Sequence, residues 1–158
     1  MAKPSYEPQQ DALNRMAIQV DTILTGRVLR KMVVNQGLVY ANGNSIPLEI
    51  VEVEVLKTYR GKRPNDKKQL ICTWIGSGEF AFDPPLGREL LIFGIQVGSL
   101  VQVPMIRYIR GIPENESEIY KVLKLKRKVN NKRNVFSTFA YDRKVIRNAC
   151  NKPVVWPE

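Results

Sequence analysis

The chain has 158 residues, of which 44% are hydrophobic and 25% are charged, and its net charge at neutral pH is +10. These values suit one folded domain with a short appendage, and they exclude a fibrous repeat or a wholly disordered chain. The longest apolar run, residues 90–97, is interrupted by Gly94 and Gln96 and is shorter than the roughly 18 residues that a membrane-spanning helix needs. Residues 1–10 lack the apolar stretch of a signal peptide, although a chain whose signal had been removed fits this start equally well.

The N-terminal third predicts a helix and then a long strand. Apolar residues recur at helical spacing over residues 9–18, which predicts a helix there. Residues 19–34 are rich in β-formers, and Gly26 in their middle predicts a bend or bulge. The turn formers at residues 35–37 and 42–44 then predict a loop or a small hairpin.

Four further strands are predicted in chain order. Residues 48–59 alternate between charged and β-branched side chains, which indicates a strand with one wet face. Strands at residues 69–75, 89–95 and 100–109 follow, separated by turns that contain glycine or proline. Five strands, with the first one bent, are too few for an immunoglobulin-like sandwich and favour a small closed barrel. We therefore predict a mainly β fold, a five-stranded barrel of the OB type (oligonucleotide- or oligosaccharide-binding) with an N-terminal helix.

The C-terminal part of the sequence is basic and less regular. Residues 113–126 begin with acidic side chains and continue at helical spacing, which predicts a helix, although residues 123–126 would also alternate as a strand. Residues 135–141 are strand-like, and residues 143–149 suit a short helix. The predicted organisation is a flexible N-terminus over residues 1–8, a barrel over residues 9–112, and a basic helical or extended appendage over residues 113–158.

The order of these segments resembles that of the netrin-like modules, the superfamily that includes tissue inhibitors of metalloproteinases. The resemblance rests on residues 20–28 (VDTILTGRV), 51–61 (VEVEVLKTYRG) and 87–94 (GRELLIFG), and it covers about residues 8–111. It implies an OB barrel with an outer helix. The inhibitors chelate the protease zinc through an N-terminal cysteine, whereas this chain has no cysteine before Cys72 and lacks the usual netrin-like disulfide set. The resemblance therefore implies a shared fold with a different partner.

Catalytic chemistry finds little support in the composition. The chain has no histidine, which removes the commonest general base, the Ser-His-Asp and Cys-His arrangements and the usual zinc ligands. Cys72 and Cys150 fit no CxxC or Cys/His metal pattern, so they either pair as a disulfide or remain thiols. Gly76 and Gly78 are not followed by the Lys-Ser/Thr of a phosphate loop. We predict a protein that is not an enzyme and that has no catalytic, cofactor or metal site.

The excess positive charge is concentrated near the C-terminus. Residues 121–147 carry ten basic residues against Asp142 alone, a net charge of +9, and the rest of the chain contributes +1. This asymmetry indicates an anionic partner that is attracted at long range and releases counterions on binding. A solvated basic face without a ligand is the alternative. The predicted anion-binding residues are Lys121, Lys124, Lys126, Arg127, Lys128, Lys132, Arg133, Arg143, Lys144 and Arg147.

Two classes of binding protein fit a barrel with a basic appendage. We favour an extracytoplasmic or secreted module whose barrel binds a protein and whose appendage contacts an anionic surface, a glycan or a lipid headgroup. A disulfide between Cys72 and Cys150 would agree with that compartment. One alternative is a cytoplasmic protein that stacks single-stranded nucleic acid on Tyr59 and Trp74. Another is a structural subunit of an envelope assembly.

Overall fold

The computed structural model describes residues 9–39, 45–74, 84–103, 109–124 and 156. Within these ranges no helix is both long enough and apolar enough to span a bilayer. The predicted mainly β fold is confirmed, and its elements in chain order are α1 (Gln9–Ala17), β1 (Thr22–Val39), β2 (Ser45–Arg60), β3 (Lys68–Trp74), β4 (Glu89–Val97), β5 (Leu100–Gln102), β6 (Ile109–Gly111) and α2 (Ser117–Leu123).

Five of the strands form a closed ring of hydrogen-bonded neighbours. β1, β2 and β3 pair antiparallel in chain order, β3 pairs parallel with β5, and β5 pairs antiparallel with β4. The ring closes because β4 returns to β1, with Thr22 opposite Gly94 and Arg27 opposite Glu89. Within the described residues, β6 pairs only with β4 and lies outside the ring.

The bend predicted in the first strand is confirmed at Gly26. The register of β1 against β2 shifts between Thr25 and Gly26, as in a β-bulge. A Cβ atom at Gly26 would lie 2.7 Å from Val53 Cγ2. Glycine is required at this position because β2 passes too close for any side chain.

The turn predicted at residues 35–37 is wrong, because β1 continues through it. β2 stays paired with β1 as far as Val39, which lies opposite Ser45. Four residue steps of β1, from Val34 to Leu38, lie opposite only two steps of β2. The extra length is absorbed as an irregularity within the strand, and the hairpin between β1 and β2 is formed further along the chain.

The remaining element predictions agree with the structure wherever it describes them. The first helix and the strands predicted at residues 48–59, 69–75 and 89–95 are confirmed as α1, β2, β3 and β4. The strand predicted at residues 100–109 is described at its two ends, as β5 and β6, and the second helix is confirmed as α2. Other predicted segments lie outside the described residues: 1–8, 42–44, 135–141 and 143–149.

Apolar side chains fill the ring and continue outward beneath both helices. Phe93 of β4 is fully buried in this core. α1 contributes Leu13 and Met16 to the same cluster, and α2 contributes Ile119 and Val122. Both helices therefore cover one core.

Arg60 fixes the end of α1 to the end of β2. Its Nη1 atom donates hydrogen bonds to the carbonyl oxygens of Ala17 and, at 3.2 Å, of Val20. A cation beside the last carbonyls of a helix neutralises the negative end of the helix dipole. The position of α1 is thereby set by the strand that later carries α2.

Replacing Gly94 by alanine is expected to lower the free energy of unfolding by about 1–3 kcal/mol, the usual cost of overpacking. The added Cβ atom would overlap Val101 Cγ1 and would lie 3.0 Å from the backbone oxygen of Gln102. β4 and β5 would therefore have to separate. Urea unfolding measures the change, and Gly111→Ala is the matched control because it meets nothing within 4 Å. Equal losses in the two variants would contradict the close packing of β4 on β5.

Candidate functional site

Four side chains attach α2 to the outside of the ring. Lys57 and Tyr59 are two residues apart in β2 and so lie on the same side of the strand. Glu116 and Tyr120 are four residues apart at the start of α2 and so share one side of the helix. These four residues bind one another, and we name them the α2 anchor.

The Glu116 carboxylate lies at the centre of the α2 anchor. Its Oε1 atom accepts hydrogen bonds from Lys57 Nζ at 2.6 Å and from the Tyr59 hydroxyl at 2.8 Å. Lys57 Nζ also donates to the Tyr120 hydroxyl. The two tyrosine rings meet edge to face with centroids 5.7 Å apart, and Lys57 Nζ lies 5.1 and 5.0 Å from those centroids. An ion pair, hydrogen bonds of the tyrosine hydroxyls, an aromatic ring contact and cation–π attraction therefore join the same four side chains.

These contacts shift the pKa values of three groups. Hydrogen bonds from Lys57 and Tyr59 hold the pKa of the Glu116 carboxyl below its ordinary value. The hydrogen bonds to Glu116 and Tyr120 raise the pKa of Lys57. Burial, and then the hydrogen bond to Glu116, raise the pKa of Tyr59 to about 12. The ion pair and the tyrosine donor therefore keep their charge states across the whole neutral range.

A second contact brings the C-terminal end of the chain to the ring. The guanidinium of Arg30 in β1 lies over the ring of Trp156, 4.0 Å from its centroid. The same guanidinium donates to both carboxylate oxygens of Glu52 in β2, at 3.2 and 3.3 Å. A two-point ion pair holds the guanidinium plane fixed, so its flat face can stack on an aromatic ring. We name Arg30, Glu52 and Trp156 the tail contact.

The α2 anchor and the tail contact lie on either side of the predicted basic segment in the sequence. Two of its ten predicted anion-binding residues are described: Lys121 is in the last turn of α2 and Lys124 is its C-cap, and both are exposed. The other eight lie outside the described residues. The basic segment therefore begins at a helix that is fastened to β2, and it is followed by a tryptophan that is fastened to β1.

The structure does not bring the predicted stacking residues Tyr59 and Trp74 together. The Tyr59 hydroxyl is bound by Glu116, and its ring packs against the core. Trp74 ends β3 opposite Leu48, and its side chain lies outside the description. Leu48 and Tyr59 are eleven residues apart along β2, roughly 35 Å at the usual rise of a strand. A single short nucleotide segment would not bridge them easily, and α2 already occupies Tyr59.

The predicted disulfide stays a prediction. Cys72 is fully buried in β3, and its carbonyl oxygen accepts a hydrogen bond from the Val103 amide at 2.9 Å. Cys150 lies outside the described residues. In the described part of the chain, no three His, Cys, Asp or Glu side chains are grouped so as to hold a metal ion.

Sequence reasoning did not single out Lys57, Glu116, Tyr120, Arg30 or Trp156. The spacing of two residues in β2 and of four residues in α2 indicates two faces, each with one charged and one aromatic residue. Nothing local shows that these faces meet, because the two segments are almost sixty residues apart. The fold was needed to bring them together.

No protein-family model matches the chain, and a search of curated proteins finds no match. The proposal for its function therefore rests on the sequence and structure of the chain itself.

In an alkaline titration of the chain, Tyr59 is expected to contribute a component near pH 12. The pKa of Tyr59 is raised from 10.0 in the folded state, so its contribution to stability is complete below pH 10 and is lost as the pH rises towards 12. Tyrosinate absorbance measures this directly. Tyr59→Phe should remove the component and Tyr120→Phe should keep it, so a component that persists in Tyr59→Phe would contradict the assignment.

Arg30→Met is expected to increase the quenching of Trp156 fluorescence by acrylamide, because the ring loses the guanidinium that covers it. The chain has two tryptophans, so the measurement uses a Trp74→Phe background in which Trp156 is the only indole. Arg30→Lys keeps the charge but loses the planar two-point pair, and we expect an intermediate effect. If quenching is the same in all three proteins, the tail contact does not form in solution.

Proposed function

We propose that the chain is a non-enzymatic, extracytoplasmic binding module built on an OB-type barrel of the netrin-like kind. In this proposal the barrel engages a protein partner, and the basic segment over residues 121–147 engages an anionic surface or glycan. The protein-binding half rests on the netrin-like resemblance. The anionic half rests on the charge distribution and on the way the segment is attached.

The strand order supports the OB-type assignment. A ring in the order β1, β2, β3, β5, β4 that closes on β1, with a parallel pair between β3 and β5, suits a five-stranded Greek-key barrel. The position of α1, packed on the core through Leu13 and Met16, agrees with the outer helix that the resemblance implies. These features support the fold and leave the partner open.

The α2 anchor is the observation that carries the anionic half of the proposal. It fastens the helix that leads into the basic segment to β2 by the hydrogen bonds of Glu116 with Lys57 and Tyr59. The net charge of +9 over residues 121–147 therefore begins at the protein surface and not at the end of a detached tail. Because the start of the segment is fixed, less conformational entropy of the chain is lost when an anionic ligand binds it.

The nucleic-acid alternative is less well supported. It requires aromatic rings that are free to stack on bases, whereas Tyr59 is bound to Glu116 through its hydroxyl and meets Tyr120 along its ring. Since Tyr59 is engaged in this way, binding through charge favours a sulfated glycan or an anionic lipid surface.

Arg127→Ser/Lys128→Ser is expected to weaken heparin binding roughly tenfold or more, since each basic residue near an anionic surface contributes about 1 kcal/mol. The slope of log K against log salt should fall by about one for each charge removed. Titration calorimetry at several salt concentrations measures both. The matched control, Arg88→Ser/Arg110→Ser, removes the same charge from residues next to β4, outside the basic segment, and should bind as the unmodified chain does.

The same titrations with anionic liposomes and a single-stranded oligonucleotide identify the class of ligand. Tight oligonucleotide binding at physiological salt that is lost in Trp74→Ala would replace this proposal by the nucleic-acid alternative. Absence of binding to all three polyanions would overturn the anionic half.

A further inference from the structure

The turn between β2 and β3 holds a second concentration of positive charge. Residues 60–68 contain five basic residues and Asp66 as their one acid, a net charge of +4, and the residues outside 60–68 and 121–147 sum to −3. A charge count over the whole ring hides this concentration, because acids elsewhere cancel it. Apart from Arg60, which binds α1, the cations of the turn are exposed: Lys62, Arg63, Lys67 and Lys68.

The backbone holds this turn in one conformation. Gly61 has a φ of +101° and Lys67 a φ of 59°, and the left-handed region costs a residue with a side chain about 1 kcal/mol or more. The Lys68 amide donates to Asp66 Oδ1 at 3.1 Å, and the Val55 amide donates to the Lys67 carbonyl at 2.7 Å. Non-glycine residues held at positive φ often occur at binding sites, where the surrounding structure maintains them. The cations therefore project from a fixed frame.

Two open grooves run along the two sides of the turn. One encloses about 340 Å³ and is lined by Lys67 on the β2 side. The other encloses about 380 Å³ and is lined by Lys68 and the β4–β5 turn. Both grooves share Arg63, Pro64 and Asn65. A linear ligand that crosses the turn at Arg63 would enter both grooves.

The polar groups of the second groove suit a ligand that carries oxyanions. Gln96 lines the groove, but its Oε1 atom is buried and is not exposed to a ligand, and its Nε2 atom donates to Gly98 O at 2.7 Å. The two acids of this groove are also engaged, since Glu52 is paired with Arg30 and Asp66 accepts the Lys68 amide. The groove thus offers its exposed cations to oxyanions.

The lining also argues against nucleic acid as the ligand. In the part of the chain that the structure describes, neither groove is lined by an aromatic residue. Single-stranded nucleic acid is normally held by stacking bases on aromatic rings as well as by charge. A sugar polymer needs no such platform.

We propose that the β2–β3 turn is a binding site for an anionic polysaccharide. Its sulfate or carboxylate groups meet Lys62, Arg63, Lys67 and Lys68. The guanidinium of Arg63 provides the two-point contact that planar oxyanion recognition favours. This site goes beyond the proposed function, in which only the C-terminal segment meets the anion.

Calorimetric titration of the full chain with a size-defined heparin oligosaccharide tests the site. Lys62→Ser/Arg63→Ser should weaken binding roughly tenfold or more and lower the salt slope by about two. Arg88→Ser/Arg110→Ser removes the same charge near the other end of β4, where Arg88 precedes the strand and Arg110 lies opposite Leu91. These positions are roughly 25 and 17 Å from Gln96 along the strand, so the change should alter the affinity by less than about twofold.

A single variant tests the contribution of one cation apart from folding. Lys67→Asn removes one cation but keeps a residue that tolerates positive φ, so it should weaken binding without changing the urea midpoint.

The outcomes separate this proposal from the preceding one. Loss of binding in the turn variants with the Arg88/Arg110 control unchanged supports the site, whatever Arg127→Ser/Lys128→Ser does. Equal losses in the turn variant and the Arg88/Arg110 control would reduce the effect to net charge and overturn the site. Unchanged binding in the turn variants, with loss only in Arg127→Ser/Lys128→Ser, would overturn it and leave the proposed function standing. Binding of a thymidine oligonucleotide but not of heparin would overturn the choice of ligand.

Discussion

Between Thr22 and Arg27, β1 is hydrogen-bonded along both of its edges, to β2 on one side and to β4 on the other. This short stretch closes the ring, and its two partners come from distant parts of the sequence. The α2 anchor and the basic turn are both attached to it through β2. That strand holds α1 at one end through Arg60, carries α2 on Lys57 and Tyr59, and leads into the basic turn.

The sequence predicts the strands well because alternation and β-branched composition are local signals. Residues 48–59 and 89–95 show such signals, and the structure confirms both strands. At the Asn-Gln-Gly sequence of residues 35–37, a local signal predicts the wrong structure. Its turn propensity is also local, but β2 continues to offer hydrogen bonds beyond it, and sheet pairing outweighs the preference of the isolated residues.

The candidate sites are predictable only as far as charge is concerned. The charge summed along the sequence reveals the basic segment because its cations lie close together with only one acid among them. It misses the contact between Lys57 and Glu116, since neither residue is unusual alone and 59 positions separate them. It also misses the basic turn, because acids elsewhere in the ring balance the sum. Spatial grouping depends on the ring closure, which no local pattern encodes.

The stacking of Trp156 on Arg30 gives residue 156 a contact that a ligand of residues 121–147 could favour or oppose. Binding equilibria that share one molecule are reciprocal, so a ligand that bound more tightly when Trp156 is stacked would strengthen the stacking by the same factor. Its affinity would then depend on Glu52, which orients the guanidinium and need not touch the ligand. In that case the indole, which lies outside the basic segment in the sequence, would report on the occupancy of the segment.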